Sequence, residues 1–386
     1  MVSDLQTQHE KIYNALCMSL SERIDQVDWE SFSENDWSRF GNMAVVEGVA
    51  PLIHWTFKHE DASGIDIPTT VKAKLMAAYY NTTAQNQVMF QELERILKTL
   101  NEAGIPVVVL KGAALAMTVY PEIGLRPMGD IDLLVNEQDL DFAVRIFNEC
   151  GYKNIPSKIP LLQKDLDHNI EFLRQSEPQI MLELHWRLIA GKALWFSPEM
   201  DWFWINTVQL QNKELNLNAC TFSPEGQFLY LAAHYSLQHA GIGPRLLWLY
   251  DQHIFLQKFH ERLNWHAISN RAVEYGWSTA IYLSIKELNN IFAANIPNSI
   301  LETFAQNIDH NTIRMIRYKS HPRLYAIILN WHRMMALDWV KRIQFIIGRI
   351  FPNREYLKWQ YNNYESRPGP LLYFHHWGKT LENILS

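Results

Sequence analysis

Two aspartates separated by one residue are the part of this 386-residue sequence best suited to chemistry. Asp130 and Asp132 open the segment Asp-Ile-Asp-Leu-Leu-Val, whose apolar end predicts a buried strand. On a strand, residues i and i+2 point to the same face, roughly 6.5–7 Å apart along the chain. Two carboxylates so placed repel each other unless cations or partners lie between them, and Mg²⁺ is bound by carboxylates together with substrate phosphates. A loop cap or a solvated strand edge is the alternative for this pattern.

A strand-to-helix turn lies upstream of the aspartates. Glycine after a buried strand lets the backbone approach a phosphate closely, and N–H groups at the start of the next helix favour an anion. We predict that Lys111, Gly112 and Ala113 cradle a triphosphate. Arg126, in the loop before the aspartates, is a further predicted phosphate ligand because its guanidinium offers a fork of donors. The alternatives are an ordinary strand–helix turn and a surface Arg126 that pairs with Glu122.

A third carboxylate is expected, because chemistry of this type uses one as a base or as a further metal ligand. Glu183 is the best candidate. The alternation of residues 180–186 predicts a strand that carries Glu183 and His185 on one face. An ionised glutamate among apolar neighbours needs a partner, and a metal would serve. Two alternatives stay open: Glu171 on the partner strand takes this role, or Glu183 faces solvent.

The elements that must hold these side chains are predicted from hydrophobic periodicity. Residues 105–111 and 130–135 are short and apolar, which predicts two buried strands. Residues 137–150 predict an amphipathic helix. Residues 169–174 and 179–186 predict the two strands of a hairpin.

Helical periodicity fills the rest of the chain, which is too long for a single compact core. The predicted fold class is therefore α+β, with a small mixed β-sheet core flanked by N-terminal and C-terminal helical regions. Three regions are predicted: a helical N-terminal region at 1–100, an α/β core at 101–220 that carries the chemistry, and a helical C-terminal domain at 221–386. Ser223 is a predicted N-cap with Pro224 at the first helical position.

Composition excludes several classes of protein. The formal net charge is −6, which argues against a protein whose whole surface grips nucleic acid. The three cysteines are far apart and show no zinc-binding spacing, so a reducing cytoplasm is the predicted location. The polar start is not typical of a secretory signal, and no uncharged apolar run is long enough for a transmembrane helix.

The segments that carry these residues resemble a known family. Val-Val-Leu-Lys-Gly-Ala-Ala-Leu-Ala, then Tyr-Pro-Glu-Ile-Gly-Leu-Arg-Pro-Met-Gly-Asp-Ile-Asp-Leu-Leu-Val, then Leu-Glu-Leu-His-Trp-Arg-Leu are similar to the uncharacterised nucleotidyltransferase family of the DNA polymerase beta-like superfamily. Looser similarity extends over most of the chain. The resemblance implies a nucleotidyltransferase core with a small mixed sheet, followed by a helical domain that closes over the nucleotide.

The resemblance also implies roles for individual residues. It assigns Asp130 and Asp132 to metal binding, and Glu183 by position to the third carboxylate. Gly112 and Ala113 fall where the superfamily places its phosphate turn. Many members carry Gly or Ser at the second position of that turn, so the alanine removes a hydroxyl contact to phosphate and leaves a backbone N–H contact.

The predicted function is transfer of a nucleoside monophosphate from an NTP to an acceptor, with release of pyrophosphate. ATP is the favoured donor, and Mg²⁺ or Mn²⁺ is the predicted metal. The acceptor is unidentified, with a small molecule, a peptide or a protein favoured over nucleic acid, and the oligomeric state is open. The alternative is a catalytically silent nucleotide-binding or regulatory module, such as a toxin–antitoxin component.

Residues in the C-terminal half have structural predictions. His234 and His239 are five apart, which is poor spacing for one face of an α-helix, so packing histidines are favoured over a metal site. Arg245 and Asp251 are predicted to form a structural ion pair rather than to touch nucleotide. Residues 338–351 are amphipathic and basic, and a packing helix with a solvated basic edge is favoured there over contact with a membrane or an acidic partner.

Overall fold

The computed structural model describes most of the chain, and every structural statement below refers to that part. The residues described are 2–59, 64–175, 179–189, 199–210, 219–241, 243, 245–294, 296–361 and 369–385.

Eighteen α-helices lie in the described residues, with a short π-helix, His234–His239, directly after the ninth. In chain order the α-helices are α1 (Val2–Leu20), α2 (Glu34–Val46), α3 (Ala50–His59), α4 (Thr69–Glu102), α5 (Lys111–Thr118), α6 (Leu140–Glu149), α7 (Gln163–Leu166), α8 (Asp201–Ile205), α9 (Pro224–Ala233), α10 (Leu246–Phe259), α11 (Trp265–Glu274), α12 (Ser278–Phe292), α13 (Asn298–Gln306), α14 (His310–Tyr318), α15 (Pro322–Met335), α16 (Trp339–Ile350), α17 (Arg354–Gln360) and α18 (Gly369–Leu385). None of the described helices combines the length and the apolar character that crossing a bilayer requires.

One mixed sheet lies in the middle of the chain. Its seven strands are β1 (Val108–Val109), β2 (Ile131–Leu134), β3 (Lys153–Asn154), β4 (Asn169–Arg174), β5 (Ile180–His185), β6 (Thr207–Gln209) and β7 (Cys220–Phe222). The strand order is β3-β4-β5-β2-β1-β7-β6. β2 pairs with β5 and β1 pairs with β7 in parallel, whereas the other neighbours are antiparallel. The predicted α+β class, with a small mixed sheet between helical regions, is confirmed.

Local signals in the sequence explain where several elements begin and end. Gly104 has a left-handed φ of +73°, which is why α4 ends just before it. The Ser223 hydroxyl accepts a hydrogen bond from the Gly226 amide and Pro224 is the first residue of α9, as predicted. The strand expected at 105–111 is shorter in the structure, since β1 comprises Val108–Val109 and Lys111 already begins a helix.

Two separate hydrophobic cores support the sheet. One contains β1, β2 and β5 together with α6 and the second half of α4, from Met89 to Leu100. The other joins the N-terminal helices to the C-terminal ones, since Phe40 of α2 and Ile281 of α12 belong to the same cluster. The helical regions before and after the sheet therefore share a core, although they are distant in sequence.

The helix at the predicted amphipathic segment 338–351 differs from its expectation. α16 covers Trp339–Ile350, but Phe345 is the one residue of the helix that is buried. Its other large apolar side chains are exposed, and so are several on α15. The segment is a helix that packs through Phe345, but its solvated surface includes these apolar side chains as well as the predicted basic edge.

Candidate active site

Three carboxylates lie in a row across the sheet. The parallel pairing of β2 and β5 places Asp132 opposite Glu183, and the antiparallel pairing of β5 and β4 places Glu183 opposite Glu171. Side chains directly opposite on paired strands share a face of the sheet. The alternation of each strand therefore brings acidic groups that are up to 51 residues apart in sequence, Asp132 and Glu183, onto one surface.

His185 joins this row from the next position on the same face of β5. Its Nε2 lies 2.9 Å from Asp132 Oδ1 and 3.2 Å from Glu183 Oε2. Ligand atoms of Asp132, Glu183 and His185 all lie within 4.8 Å of one another, a spacing that suits one metal ion. Sequence reasoning placed His185 on the face of Glu183 but did not include it in the site, because its approach to Asp132 depends on which strand lies beside β5.

Lys111 supplies the positive charge that these carboxylates require. Its Nζ donates to Asp132 Oδ1 at 2.7 Å and lies 3.5 Å from Glu183 Oε2. The residue has a φ of +41°, in the left-handed region that costs on the order of 1 kcal/mol for a side chain with a Cβ. The ion pair with Asp132 offsets that cost and holds the lysine at the first position of α5.

Burial and charge together set the protonation of this cluster. Burial alone would raise the pKa of Asp132, but the Lys111 charge and the His185 hydrogen bond outweigh it and hold that pKa below its usual range. Burial also opposes ionisation of Glu183, and the hydrogen bond with His185 and the Lys111 charge again lower the pKa overall. Burial and the Lys111 charge work against protonated His185, yet its bonds to Asp132 and Glu183 raise its pKa.

Asp130 lies at the edge of the cluster rather than inside it. β2 begins at Ile131, so Asp130 precedes the ladder, and its carboxylate is not in the group that lies within 4.8 Å. The negative charge of Asp132 and then burial raise the pKa of Asp130 to about 7. An acidic group whose pKa is raised by a like charge beside it indicates a place where a cation would be stabilised.

A cavity of about 480 Å³ opens over the carboxylates. One wall carries the acidic residues Asp130, Asp132, Glu171 and Glu183. Basic and aromatic residues of the C-terminal half also line it: His234, His239, Arg245, Trp248, Lys319, Tyr325 and Arg333. A molecule that fills this cavity would thus meet both carboxylates and cations.

Comparison with known families identifies what kind of protein has this arrangement. A family model described as an uncharacterised nucleotidyltransferase matches residues 33–293 of the chain. The chain belongs to this nucleotidyltransferase family. The match includes the acidic row, Lys111 and the basic residues up to Arg245, so the predicted membership and the predicted enzyme class are confirmed.

Two solved structures are similar to this nucleotidyltransferase. The crystal structure of ANT(2")-Ia in complex with adenylyl-2"-tobramycin is 12% identical, with 46% of this chain and 90% of that chain covered and a TM-score of 0.32. The solution structure of the antibiotic-resistance factor ANT(2'')-Ia is also 12% identical, with 59% and 100% covered and a TM-score of 0.33. No curated protein sequence matches the chain.

Arg126 lies against the cavity of the nucleotidyltransferase, but its guanidinium is already engaged. Its Nη2 donates to Asp251 Oδ2 at 2.8 Å and its Nε donates to Asp251 Oδ1 at 3.3 Å. The hydroxyl of Tyr120 donates to the same carboxylate at 2.7 Å. The alternative that Arg126 pairs with Glu122 is wrong, because Glu122 accepts a hydrogen bond from Tyr79. The predicted ion pair of Arg245 with Asp251 is also wrong, because Asp251 pairs with Arg126.

The predicted phosphate turn has its glycine at a point of close approach. A Cβ at Gly112 would collide with Arg126 Nη1, so only glycine leaves room for that buried guanidinium. Gly112 lines the cavity, whereas Ala113 is buried in the core of the sheet. The contact of Lys111, Gly112, Ala113 and Arg126 with a triphosphate stays a prediction.

The two histidines of the π-helix lie side by side, contrary to the expectation from their spacing. His234 Nε2 and His239 Nε2 are 3.3 Å apart. A π-helix closes i→i+5 hydrogen bonds, so residues five apart share a face. Burial lowers the pKa of His239 to about 4 and that of His234 well below its usual range, so both rings are neutral at physiological pH.

Proposed function

We propose that this nucleotidyltransferase transfers a nucleoside monophosphate, with ATP as the favoured donor, to an acceptor hydroxyl or phosphate with the help of Mg²⁺ or Mn²⁺. The row of carboxylates at the neighbouring positions of β2 and β5 carries this proposal. Asp130, Asp132 and Glu183 together bring more negative charge to one cavity wall than the single ammonium of Lys111 balances.

The residues present fit a divalent cation. Asp132 and Glu183 offer oxygen ligands and His185 offers a nitrogen within a 4.8 Å cluster, and the partly buried Asp130 lies beside them. When bound there, such a cation would supply charge stabilisation to the phosphoryl oxygens and lower the pKa of the acceptor. Oxygen-rich sets favour Mg²⁺, and the histidine makes Mn²⁺ equally acceptable.

Neighbouring side chains hold the carboxylates in place. Asn169 Nδ2 donates to Glu183 Oε2 at 2.9 Å, and His185 bridges Glu183 and Asp132. These bonds fix the two acidic groups in the orientation in which their oxygens converge. We assign Asn169 to positioning of Glu183.

The basic side chains that line the cavity are suited to binding the triphosphate. Arg126 is committed to Asp251, whereas Arg245 and Lys319 line the cavity from the C-terminal half. Lys319 is buried, which lowers its pKa to about 8, and its ammonium donates to the Leu237 carbonyl. No carboxylate pairs with it among the described residues, so an anionic phosphate would stabilise its charged form.

The reaction forms one bond and breaks one. The acceptor oxygen attacks the α-phosphorus, the bond from that phosphorus to the β-phosphate oxygen breaks, and pyrophosphate leaves. The acceptor proton passes to Glu183, which faces the cavity next to Asp132. We assign Lys111 and Arg245, which line the cavity, to neutralising charge on the leaving pyrophosphate.

The free cysteines Cys17, Cys150 and Cys220 support the cytoplasm as the compartment.

A thermal-shift titration with each of the four NTPs, with and without Mg²⁺, tests the proposal without knowledge of the acceptor. A donor at 100 times its dissociation constant adds about 2.7 kcal/mol to the free energy of unfolding, which raises Tm by several degrees. We expect a Mg²⁺-dependent shift with ATP that disappears in Asp130→Asn/Asp132→Asn. The matched control is Asp141→Asn, an exposed aspartate on α6 outside the cavity.

The outcomes separate the two functions considered from the sequence. A shift that depends on both the metal and the aspartates supports the transferase, and the acceptor can then be sought with labelled ATP. A shift that survives without Mg²⁺ and in the double variant favours a silent nucleotide-binding module. The absence of any shift with all four NTPs contradicts the proposed donor site.

A further inference from the structure

The exposed apolar side chains of this protein are concentrated in one helical segment. Of the 23 large exposed apolar side chains in the described part of the chain, 11 lie between residues 324 and 351. Singly scattered apolar residues are normal on a surface, whereas a contiguous set marks a site of interaction. Ten of these eleven lie on α15 and α16, which follow one another with a three-residue connection, and the eleventh is Phe351, directly after α16.

Each helix carries its exposed residues as one stripe. On α15 they are Leu324, Ile327, Trp331 and Met335, at spacings of three or four residues. Such spacing keeps them on one face of an α-helix. On α16 the exposed stripe begins four residues after Met335, with Trp339 at 73% exposure, and its members are Trp339, Val340, Ile343, Ile346, Ile347 and Ile350.

The opposite faces of both helices are held by the protein. Tyr325, Leu329 and Arg333 of α15 line the cavity of the candidate active site. On α16, Phe345 packs into a small core, and Lys341 Nζ donates to Asp165 Oδ1 at 2.7 Å. The apolar stripes therefore point outward because the other sides of the helices are fixed, and α15 separates the cavity from the exposed face.

The charge of this segment differs from that of the rest of the chain. Residues 310–361 contain ten lysines and arginines but two acidic residues, a net charge of +8, within a chain whose net charge is −6. On α16, Arg342 and Arg349 are seven residues apart and so border the same edge of the apolar stripe. An apolar face with bulky aliphatic and tryptophan side chains and a basic border is the pattern of a helix that lies in the interface of an anionic bilayer.

We propose that the exposed face of α15 and α16 docks on an anionic lipid bilayer surface. Charge selects this occupant over a second copy of the chain, because a symmetric pairing of this face would bring Arg342 and Arg349 of both copies into one interface. The width of the apolar stripe selects it over a purely acidic protein partner, since acidic side chains leave isoleucines and tryptophans without an apolar environment. When docked, α15 would contact the bilayer with its apolar face while its opposite face lines the cavity.

The test is vesicle flotation of the full chain. One set of vesicles is phosphatidylcholine alone, and the other is phosphatidylcholine mixed with phosphatidylglycerol. We expect the protein to float with the anionic vesicles, and less so as salt is raised, because salt screens the basic border. Ile343→Gln/Ile347→Gln should weaken binding about tenfold or more through loss of apolar burial. Arg349→Gln should weaken it about fivefold through loss of one charge.

A matched control exists on another helix. Val45→Gln/Val46→Gln changes two exposed aliphatic side chains of α2 in the same way and should leave flotation unchanged. The Mg²⁺–ATP thermal shift should be the same in all of these variants, so loss of membrane binding is distinguishable from failure of the proposed function. The proposal is overturned if the wild type ignores anionic vesicles. It is also overturned if the chain dimerises through this face and Ile343→Gln/Ile347→Gln makes it monomeric.

Discussion

Two acidic side chains of this protein are buried to a similar extent but are surrounded by different charged groups. Asp132 is 2% exposed and Glu92 is 6% exposed. Glu92 accepts hydrogen bonds from Arg95 at 2.5 Å, from Arg174 at 2.7 Å and from the Tyr152 hydroxyl at 2.8 Å. One carboxylate there meets two guanidiniums, so the cluster is closed and its positive charge is in excess.

The cluster around Asp132 has the opposite balance. Asp132 and Glu183 share the ammonium of Lys111, and Asp130 adds a further carboxylate at the same cavity wall. Burial and ion pairing are present in both regions, so neither distinguishes a structural cluster from a functional one. The two clusters differ in the sign of their uncompensated charge, which is positive around Glu92 and negative around Asp132. They also differ in that the Asp132 cluster faces a cavity.

The largest expected difference between the two regions is in activity. Asp132→Asn should lower the rate of nucleotidyl transfer by about 10³-fold, the order of magnitude lost when a preorganised group that stabilises charge is removed. The free energy of unfolding should also fall, because Lys111 and His185 lose the carboxylate they stabilise, but the protein should still fold because Glu183 remains 3.5 Å from the Lys111 ammonium. Steady-state pyrophosphate release and urea unfolding measure the two quantities. Undiminished transfer in this variant would exclude Asp132 from the reaction.

The converse change is expected at Glu92. Glu92→Gln should lower the free energy of unfolding by about 2 kcal/mol, less than for a fully buried ion pair because Arg95 and Arg174 are about one-third exposed. Transfer by the folded enzyme should be unaffected. Glu94→Gln is the control on the same helix, since Glu94 is exposed. An equal loss of stability in both variants would contradict a specific role for the Glu92 cluster.

The pH dependence of this effect has a definite sign. Burial raises the pKa of Glu92, but the hydrogen bonds from Arg95 and Tyr152 outweigh it, so the pKa in the folded protein is below its ordinary value. The unfolded chain then binds the proton more tightly, and the contribution of Glu92 is complete above about pH 4.3. The stability difference between wild type and Glu92→Gln should shrink as pH falls below that value. A difference that grows with acidity would refute this account.

Mg²⁺ should stabilise the protein through the Asp132 cluster and not through the Glu92 cluster. Mg²⁺ at ten times its dissociation constant, without nucleotide, should add about 1.4 kcal/mol to the free energy of unfolding of the wild type. The gain should persist in Glu92→Gln and vanish in Asp132→Asn, as read by differential scanning calorimetry against an EDTA control. A gain that persists in Asp132→Asn would locate the metal elsewhere.

The smallest effect is expected at the outer end of the carboxylate row. Glu171 is exposed and lies beyond Glu183, so Glu171→Gln should reduce transfer less than about tenfold, or by less than 1.4 kcal/mol of transition-state energy. Glu183→Gln should cost far more. Reversal of this order in parallel kinetic assays would make Glu171 the third carboxylate of the site.

Much of this arrangement follows from local patterns in the sequence. The period-two alternation that ends in Glu183 and His185 predicts their common face, and the apolar residues after Asp132 predict its buried strand. Residue spacing alone does not reveal that β5 lies beside β2, so the bond between His185 and Asp132 was not foreseen. The roles of the site residues in catalysis remain predictions.

Other features depend on contacts that have no local signature. Arg126 and Asp251 are 125 residues apart, and each has nearer oppositely charged residues in sequence. His234 and His239 meet because the backbone forms a π-helix, which a search for α-helical spacing excludes. The exposed apolar stripe of α16 has the same periodicity as an apolar stripe that faces a core. The sequence therefore does not show whether such a stripe is exposed or buried.

The bond between Arg126 and Asp251 also bears on how such a chain can evolve. Arg126 precedes β2 and Asp251 lies on α10, and the glycine at position 112 exists to leave the guanidinium room. A recombination event near residue 220 that joined this sheet to the helices of a relative without the aspartate would leave a buried, uncompensated arginine. The sheet and the helices after it are therefore expected to be inherited as one unit. Chimaeras made at that boundary should fold only when Arg126, Asp251 and Gly112 are all present.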